Sequence, residues 1–194
     1  MADRGLTGVL LAGGASVRFG SPKALARLGD VTLAERAWRV LGEACEERLA
    51  VGKAADGLAL PFPLLDDGSH VRAPLAGLVA GLRAARNEVV VFLPVDMPLV
   101  DAAALHQLGD ACREAAVPNG SPLPGAYRRI VLPRLEQRLA AGQLRLTDAV
   151  AALDAVVVDL DPAQLVNVNE PADLERLAPS GHGLGGHGSF MSHP

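Results

Sequence analysis

With 194 residues, 49% of them hydrophobic, the chain has enough apolar mass for one domain with a full core. Aromatic residues make up only 3%, so that core is built from Ala, Leu and Val, and a stacking platform for single-stranded nucleic acid is excluded. A net charge of −4 argues against a nucleic-acid or membrane surface, and no apolar run approaches the ~18 residues needed to span a bilayer.

Strands and helices alternate along the chain. Leu6–Ala12 reads as a first strand. Thr32–Ala44 reads as a helix with Leu33, Ala37, Val40 and Leu41 on one face, and Thr32 followed by Glu35 is a capping-box pattern. Arg48–Gly52 is a short apolar strand, and Pro63–Leu65 reads as another. Pro74–Ala85 looks helical, with Pro74 suited to the first turn. Glu88–Val95 is almost wholly apolar, as expected of a central parallel strand covered on both faces.

Asp101–Ala116 is the next expected helix, with Asp101 as its N-cap. Asn119–Gly125 reads as loop, Val131–Ala141 and Leu146–Leu153 as helices, Ala155–Leu160 as a strand, and Asp173–Leu177 as a last short helix. This alternation predicts a three-layer α/β/α sandwich around a mainly parallel sheet. The domain spans residues 1–179, and residues 180–194 form a flexible tail of Gly, Ser and His. His182, His187 and His193 in that tail could bind Ni²⁺ or Zn²⁺ weakly, but a disordered terminus accounts for them as well.

Cys45 and Cys112 are far apart and read as buried free thiols of a reducing compartment. Met1–Gly5 lacks a signal-peptide pattern. Both features predict a cytoplasmic protein without nucleic-acid or membrane partners.

The first strand ends in Gly13-Gly14, followed within one short loop by Arg18 and Lys23. Successive glycines let backbone N–H groups turn toward an anion, and two cations beside them can neutralise a polyphosphate. Lys23 and Lys53 are the only lysines among 18 basic residues, so a lysine here points to a need for a compact charge. The spacing fits neither a Walker A loop nor the G-x-G-x-x-G fingerprint. A tight strand-to-helix turn with two surface cations is the alternative reading.

In doubly wound sheets, ligands bind beyond the carboxyl ends of the strands. Asp96 falls there, in Leu93-Pro94-Val95-Asp96-Met97-Pro98, and a carboxylate at that edge can ligate Mg²⁺ that bridges to substrate phosphates. Asp66 and Asp67 close another candidate strand; either could face a nucleotide or help hold a metal, and Asp67-Gly68 is also a turn signal. Asn167 and Asn169 share one side of an extended segment and could contact a heterocycle or phosphate, though by spacing alone they read as turn chemistry before a helix.

Four segments resemble the molybdenum cofactor guanylyltransferases, within the pyrophosphorylase-like nucleotidyltransferases. They are Leu11-Ala12-Gly13-Gly14-x-Ser16-x-Arg18-Phe19-Gly20-x-x-Lys23, Pro74-Leu75-Ala76-Gly77, Pro94-x-Asp96-x-Pro98 and Asn167-x-Asn169-x-Pro171-x-Asp173-Leu174. The resemblance implies transfer of GMP from GTP to the molybdenum-molybdopterin cofactor, with pyrophosphate as leaving group and Mg²⁺ as cofactor. It implies that Leu11, Ala12, Gly13, Gly14, Pro74 and Leu75 line the nucleotide, and that Arg18 and Lys23 stabilise the polyphosphate. Asp96 would hold Mg²⁺, Asp66 or Asp67 would lie near the nucleotide, and Asn167 and Asn169 would contact the pterin. Proteins of molybdenum insertion or molybdoenzyme maturation are the implied protein partners.

The sequence departs from that family at Ala73, Pro22 and Glu170, where Gly, Asp and Thr are usual; Ala73 adds a Cβ where backbone approaches the base. Gly13-Gly14 goes with guanine in the family. The competing expectations are a molybdopterin cytidylyltransferase, a sugar-phosphate nucleotidyltransferase, and a non-catalytic nucleotide-binding adaptor in cofactor delivery.

Overall fold

The computed structural model describes residues 5–13 and 22–177. Gly14, Ser16, Arg18, Phe19 and Gly20 of the first loop, and the tail 180–194 with its histidines, lie outside the described residues.

Strand β1 (Leu6–Leu11) leads, past Lys23, to a small antiparallel pair, β2 (Arg27–Leu28) and β3 (Val31–Thr32), which turns at Gly29 with φ 68°. Helix α1 (Leu33–Ala44) follows. Its capping box forms as the sequence predicts: Glu35 N–H donates to Thr32 Oγ1 at 3.1 Å, and Thr32 N–H donates to Glu35 Oε2 at 2.8 Å. The chain continues through β4 (Glu47–Gly52), β5 (Leu65–Asp66), α2 (Pro74–Ala84), β6 (Val89–Pro94) and α3 (Ala102–Ala111). It ends through β7 (Ala115–Pro118), β8 (Gly125–Arg128), α4 (Leu132–Ala140), α5 (Leu146–Ala151), β9 (Ala155–Val158) and α6 (Pro171–Leu177).

Among the described residues, seven strands form one sheet in the order β5-β4-β1-β6-β8-β7-β9. All neighbours are parallel except β8, which runs antiparallel to both β6 and β7. Side chains alternate between faces with the period of two expected of strands. Leu10, Leu93 and Ala50 face α1 and α3, with Leu33, Leu41, Leu105 and Leu108. Val9, Leu11, Phe92 and Tyr127 face α2, α4 and α5, with Leu75, Leu78, Leu82 and Leu135. These two apolar layers make the three-layer sandwich. Each fully buried leucine contributes about 1.5–3 kcal/mol relative to exposure. Among the described residues no helix is long and apolar enough to cross a membrane.

The strand expected over Pro63–Leu65 forms instead as β5 at Leu65–Asp66, the β2–β3 pair is not among the expected elements, and the largest departure follows α3. The helix expected over Asp101–Ala116 stops at Ala111, and Ala115–Pro118 instead pairs as β7 between β8 and β9. Ala115 and Ala116 are fully buried, so their apolar run suits a covered strand as well as a helix. The expected loop over Asn119–Gly125 accordingly gives way at Gly125 to β8.

Candidate active site

The register brings Leu11 level with Val51 on one side and Pro94 on the other. The residues just beyond β1, β4, β5 and β6 therefore share one sheet edge. Strand order reverses at β1, since β4 and β5 lie to one side and β6 to the other. Such a switch point opens a crevice. Here it holds a cavity of about 530 Å³, lined by Leu11, Ala12, Gly13, Gly52, Pro74, Gly77 and Pro94 along its middle. A Cβ on Gly13 would lie 3.5 Å from Gly52 Cα, an ordinary contact distance, so the two glycines face each other across this floor.

One end of the cavity carries Lys23 and Asp96. Val95 N–H donates to Leu11 O at 3.1 Å, which carries the chain from β6 over the end of β1. Arg36 Nε donates to Pro98 O at 2.6 Å and holds the following turn. Lys23 Nζ lies 3.3 Å from Asp96 Oδ2 and 3.2 Å from Asn169 Oδ1. Val168 N–H donates to Asp96 O at 2.8 Å. Val168 is fully buried in the layer beside α1 and α3, so the flanking asparagines project away from the core. Asn167 lines the cavity, while Asn169 reaches it through Lys23. Asp173 clamps this segment by accepting from the N–H groups of Asn169 at 2.7 Å and Glu170 at 2.9 Å. Those backbone donors, Asn169 first, hold its carboxyl below the usual range.

The opposite end carries Lys53 and Asp67. Asp67 N–H donates to Gly52 O at 2.9 Å, continuing the β4–β5 pairing by one residue. The Lys53 ammonium lies 2.7 Å from Asp67 Oδ1, with side-chain exposures of only 12% and 7%. It also donates to Ser69 O. At the rim, Arg72 makes a two-pronged pair with Asp56 at 3.1 and 2.5 Å. The third wall, Met97, Pro122, Leu123 and Leu146, is apolar.

Of the two adjacent aspartates, Asp67 is the one at the cavity. Asp66 turns outward and accepts from the N–H groups of Ala54 at 2.6 Å and Gly68 at 2.7 Å, which lower its pKa as turn bonds do. Adjacent residues at a strand end face opposite ways, which separates their roles. Pro74 lines the cavity, but the Leu75 side chain is fully buried beneath it, leaving the backbone as what Leu75 can offer a ligand. Lys53 is the residue that motif reading passed over. Its signal was compositional: the chain has two lysines, and both line this cavity.

The cysteines lie elsewhere. Burial pushes the Cys45 thiol up to about 12 and the Cys112 thiol up to about 11, and neither lines the cavity. Among the described residues no group of three or more His, Cys, Asp or Glu side chains could cage a metal. The Asp96 carboxylate, at the end of the cavity away from Asp67, suits instead a hard cation that arrives with phosphates, as Mg²⁺ does.

Comparison with known proteins identifies the family of this fold. A model of the MobA-like NTP transferase domain matches residues 8–156. A Deinococcus radiodurans protein named a probable molybdenum cofactor guanylyltransferase is 39% identical over 187 residues, covering 91% of this chain and 95% of that protein. A Carboxydothermus hydrogenoformans protein of the same name is 30% identical over 186 residues, covering 89% and 94%. The crystal structure of molybdopterin-guanine dinucleotide biosynthesis protein A from Archaeoglobus fulgidus superposes with a TM-score of 0.75 at 23% identity, over 88% of this chain and 95% of that one. With the domain model spanning β1 to β9 and full-length relatives on either side of the one-third identity mark, the chain belongs to the MobA-like NTP transferase family.

Proposed function

We propose that the protein transfers GMP from GTP to a molybdopterin cofactor and releases pyrophosphate. The observation that carries this reading is the meeting of Lys23 and Asp96, 3.3 Å apart, in a cavity that Asn167 also lines. A phosphate oxygen of the pterin attacks the α-phosphorus of GTP; the bond from that phosphorus to the bridging oxygen breaks, and its electron pair leaves on pyrophosphate. Such a transfer needs alignment and charge stabilisation more than covalent help from the protein.

The backbone at Ala12 and Gly13 cradles the phosphates. Lys23 turns from Asp96 to the polyphosphate and, with Arg18, offsets the charge that builds on the leaving group. Asp96 would hold Mg²⁺, which when bound supplies further charge neutralisation at the phosphates. Asn167 and Asn169 offer amide donors and acceptors to the pterin. The free thiols Cys45 and Cys112 support a reducing, cytoplasmic setting, where molybdenum-insertion or molybdoenzyme maturation proteins would supply or receive the cofactor.

The test is pyrophosphate release with GTP, CTP, ATP or UTP in the presence of molybdopterin and Mg²⁺. Release with GTP and molybdopterin together supports the proposal. Release with CTP alone assigns the chain to cytidylyl transfer, and release with a sugar phosphate as acceptor moves it to another substrate class.

A further inference from the structure

Lys53 and Asp67 follow β4 and β5, while Asp96 follows β6, with β1 between. At ~4.8 Å per strand the two ends of the cavity are two to three strands, about 10–14 Å, apart. That span lets a nucleotide with its α-phosphate at Asp96 reach Asp67 with its base, beyond its ribose.

The chemistry at that end is specific. Lys53 has three donors and spends two, on Asp67 Oδ1 and on Ser69 O. Asp67 Oδ1 accepts from Lys53 at 2.7 Å and from Ser69 N–H at 2.9 Å. Asp67 Oδ2 has no hydrogen-bond partner among the described residues and stays accessible from the cavity that Asp67 lines. An ionised carboxylate oxygen accepts and cannot donate, so it selects an N–H or O–H of any ligand group placed against it. Beside it, Ala73 and Pro74 open α2 with no side-chain cap. Of the first-turn N–H groups, Pro74 has none and Ala76 donates to Ala73 O at 3.0 Å, which leaves the Leu75 N–H as the donor of this wall next to the Asp67 acceptor. Guanine presents the complementary edge, with acceptor O6 beside donors N1–H and the 2-amino group. Cytosine presents two acceptors to one donor, in the reverse order.

We propose that Lys53 is a positioning residue for base selection: it fixes the Asp67 carboxylate so that Oδ2 accepts from the N1–H and 2-amino group of guanine. The inference rests on the guanylyl reading and adds what enforces it. Without Lys53 the carboxylate keeps only the Ser69 N–H and its orientation loosens, and the preference for guanine falls with it. Triphosphate binding at Lys23 is unaffected.

The experiment measures calorimetric affinities for GTP, inosine triphosphate, CTP and inorganic tripolyphosphate in the wild type, Lys53→Met and Lys53→Arg. Inosine triphosphate differs from GTP only in lacking the 2-amino group. The wild type binds it about tenfold more weakly or worse, as expected for one lost charge-assisted hydrogen bond. In Lys53→Met the ratio falls to within about twofold while tripolyphosphate affinity stays level, and Lys53→Arg, which keeps a donor to Asp67, retains most of the ratio. Equal affinity of the wild type for GTP and inosine triphosphate overturns the proposal without recourse to any variant, so it is decided even if Lys53→Met fails to fold. A full ratio surviving in Lys53→Met overturns the role of Lys53 alone, whereas a wild-type preference for CTP over GTP overturns the guanylyl reading itself.

Discussion

The Lys23 ammonium sits 3.3 Å from Asp96 Oδ2, although 73 positions separate the two residues in the chain. Lys23 comes from the connection after β1 and Asp96 from the turn after β6, and the parallel β1–β6 register brings them together. In the protein without ligand each offsets the other's charge. Under the proposed function, a triphosphate with its metal would exchange that contact for one to Lys23 and one to Asp96. Lys23→Met is therefore expected to lower the rate of pyrophosphate release by about 10²–10³-fold, the usual effect of removing one donor aimed at developing charge. A rate within a few-fold of wild type would place the leaving group elsewhere.

The two asparagines should separate in kinetics. Asn167 lines the cavity, whereas Asn169 accepts from Lys23 at 3.2 Å. Asn167→Ala raises KM for molybdopterin and leaves GTP affinity within about twofold, since only an acceptor contact is lost. Asn169→Ala affects both substrates, because Lys23 loses a partner. Steady-state kinetics with each substrate varied in turn distinguishes the two patterns.

Helix α2 rests on the sheet through small residues. A Cβ on buried Gly81 would lie 2.7 Å from the Phe92 ring and 3.0 Å from Val9 Cγ1, both of which belong to the apolar layer under α2. Alanine gains about 1 kcal/mol of helix propensity over glycine. Overpacking against a ring and a β-branched side chain costs about 1–3 kcal/mol. Gly81→Ala is thus expected to lower the melting temperature by a few degrees, at about 2–4 °C per kcal/mol for a chain of this size. A rise in melting temperature would mean that the layer yields more easily than its geometry implies.

Stability should also respond to acid. The Thr32 N–H, then the Thr32 hydroxyl, hold Glu35 below the usual carboxylate range; the Asp154 N–H followed by Arg134 does the same for Glu114, and the N–H groups of Asn169 and Glu170 for Asp173. A carboxylate whose folded pKa is depressed contributes stability above its unfolded pKa, about 3.9 for Asp and 4.3 for Glu, and loses it as pH falls through the folded value. Denaturant midpoints should be flat above about pH 5 and fall below about pH 4. Thr32→Ala removes a cap worth about 1 kcal/mol near neutral pH. Its deficit should shrink in acid, where wild-type Glu35 also loses its bonds. A deficit constant down to pH 3 would show that the capping box does not hold Glu35 ionised.

The elements that organise this site were legible because their signals are local. Thr32 and Glu35 mark the start of α1, and the run Val89–Leu93 marks a covered strand. β7 and β8 were not, because what decides them is remote. Ala115 to Val117 could pack as helix or strand, and the choice is made by pairing with β9 some 40 residues later. Gly125 starts β8 where a Cβ would lie 2.7 Å from Pro122 O, a close approach invisible in the local pattern. In the site, Lys23, Asp96 and Asn167 were readable as motif residues. The choice of Asp67 over Asp66 needed the direction of each side chain at the end of β5, and the anchoring of Asp67 by Lys53 needed three dimensions.

The most direct test of the site is the Mg²⁺ dependence of GTP affinity, measured by calorimetry in the wild type and Asp96→Asn. If Asp96 holds the metal that meets the triphosphate, Mg²⁺ tightens GTP binding to the wild type by about tenfold or more and leaves Asp96→Asn within about twofold of its metal-free value. An equal Mg²⁺ response in both proteins would contradict the assignment of Asp96 and, with it, the shared role of Lys23 and Asp96.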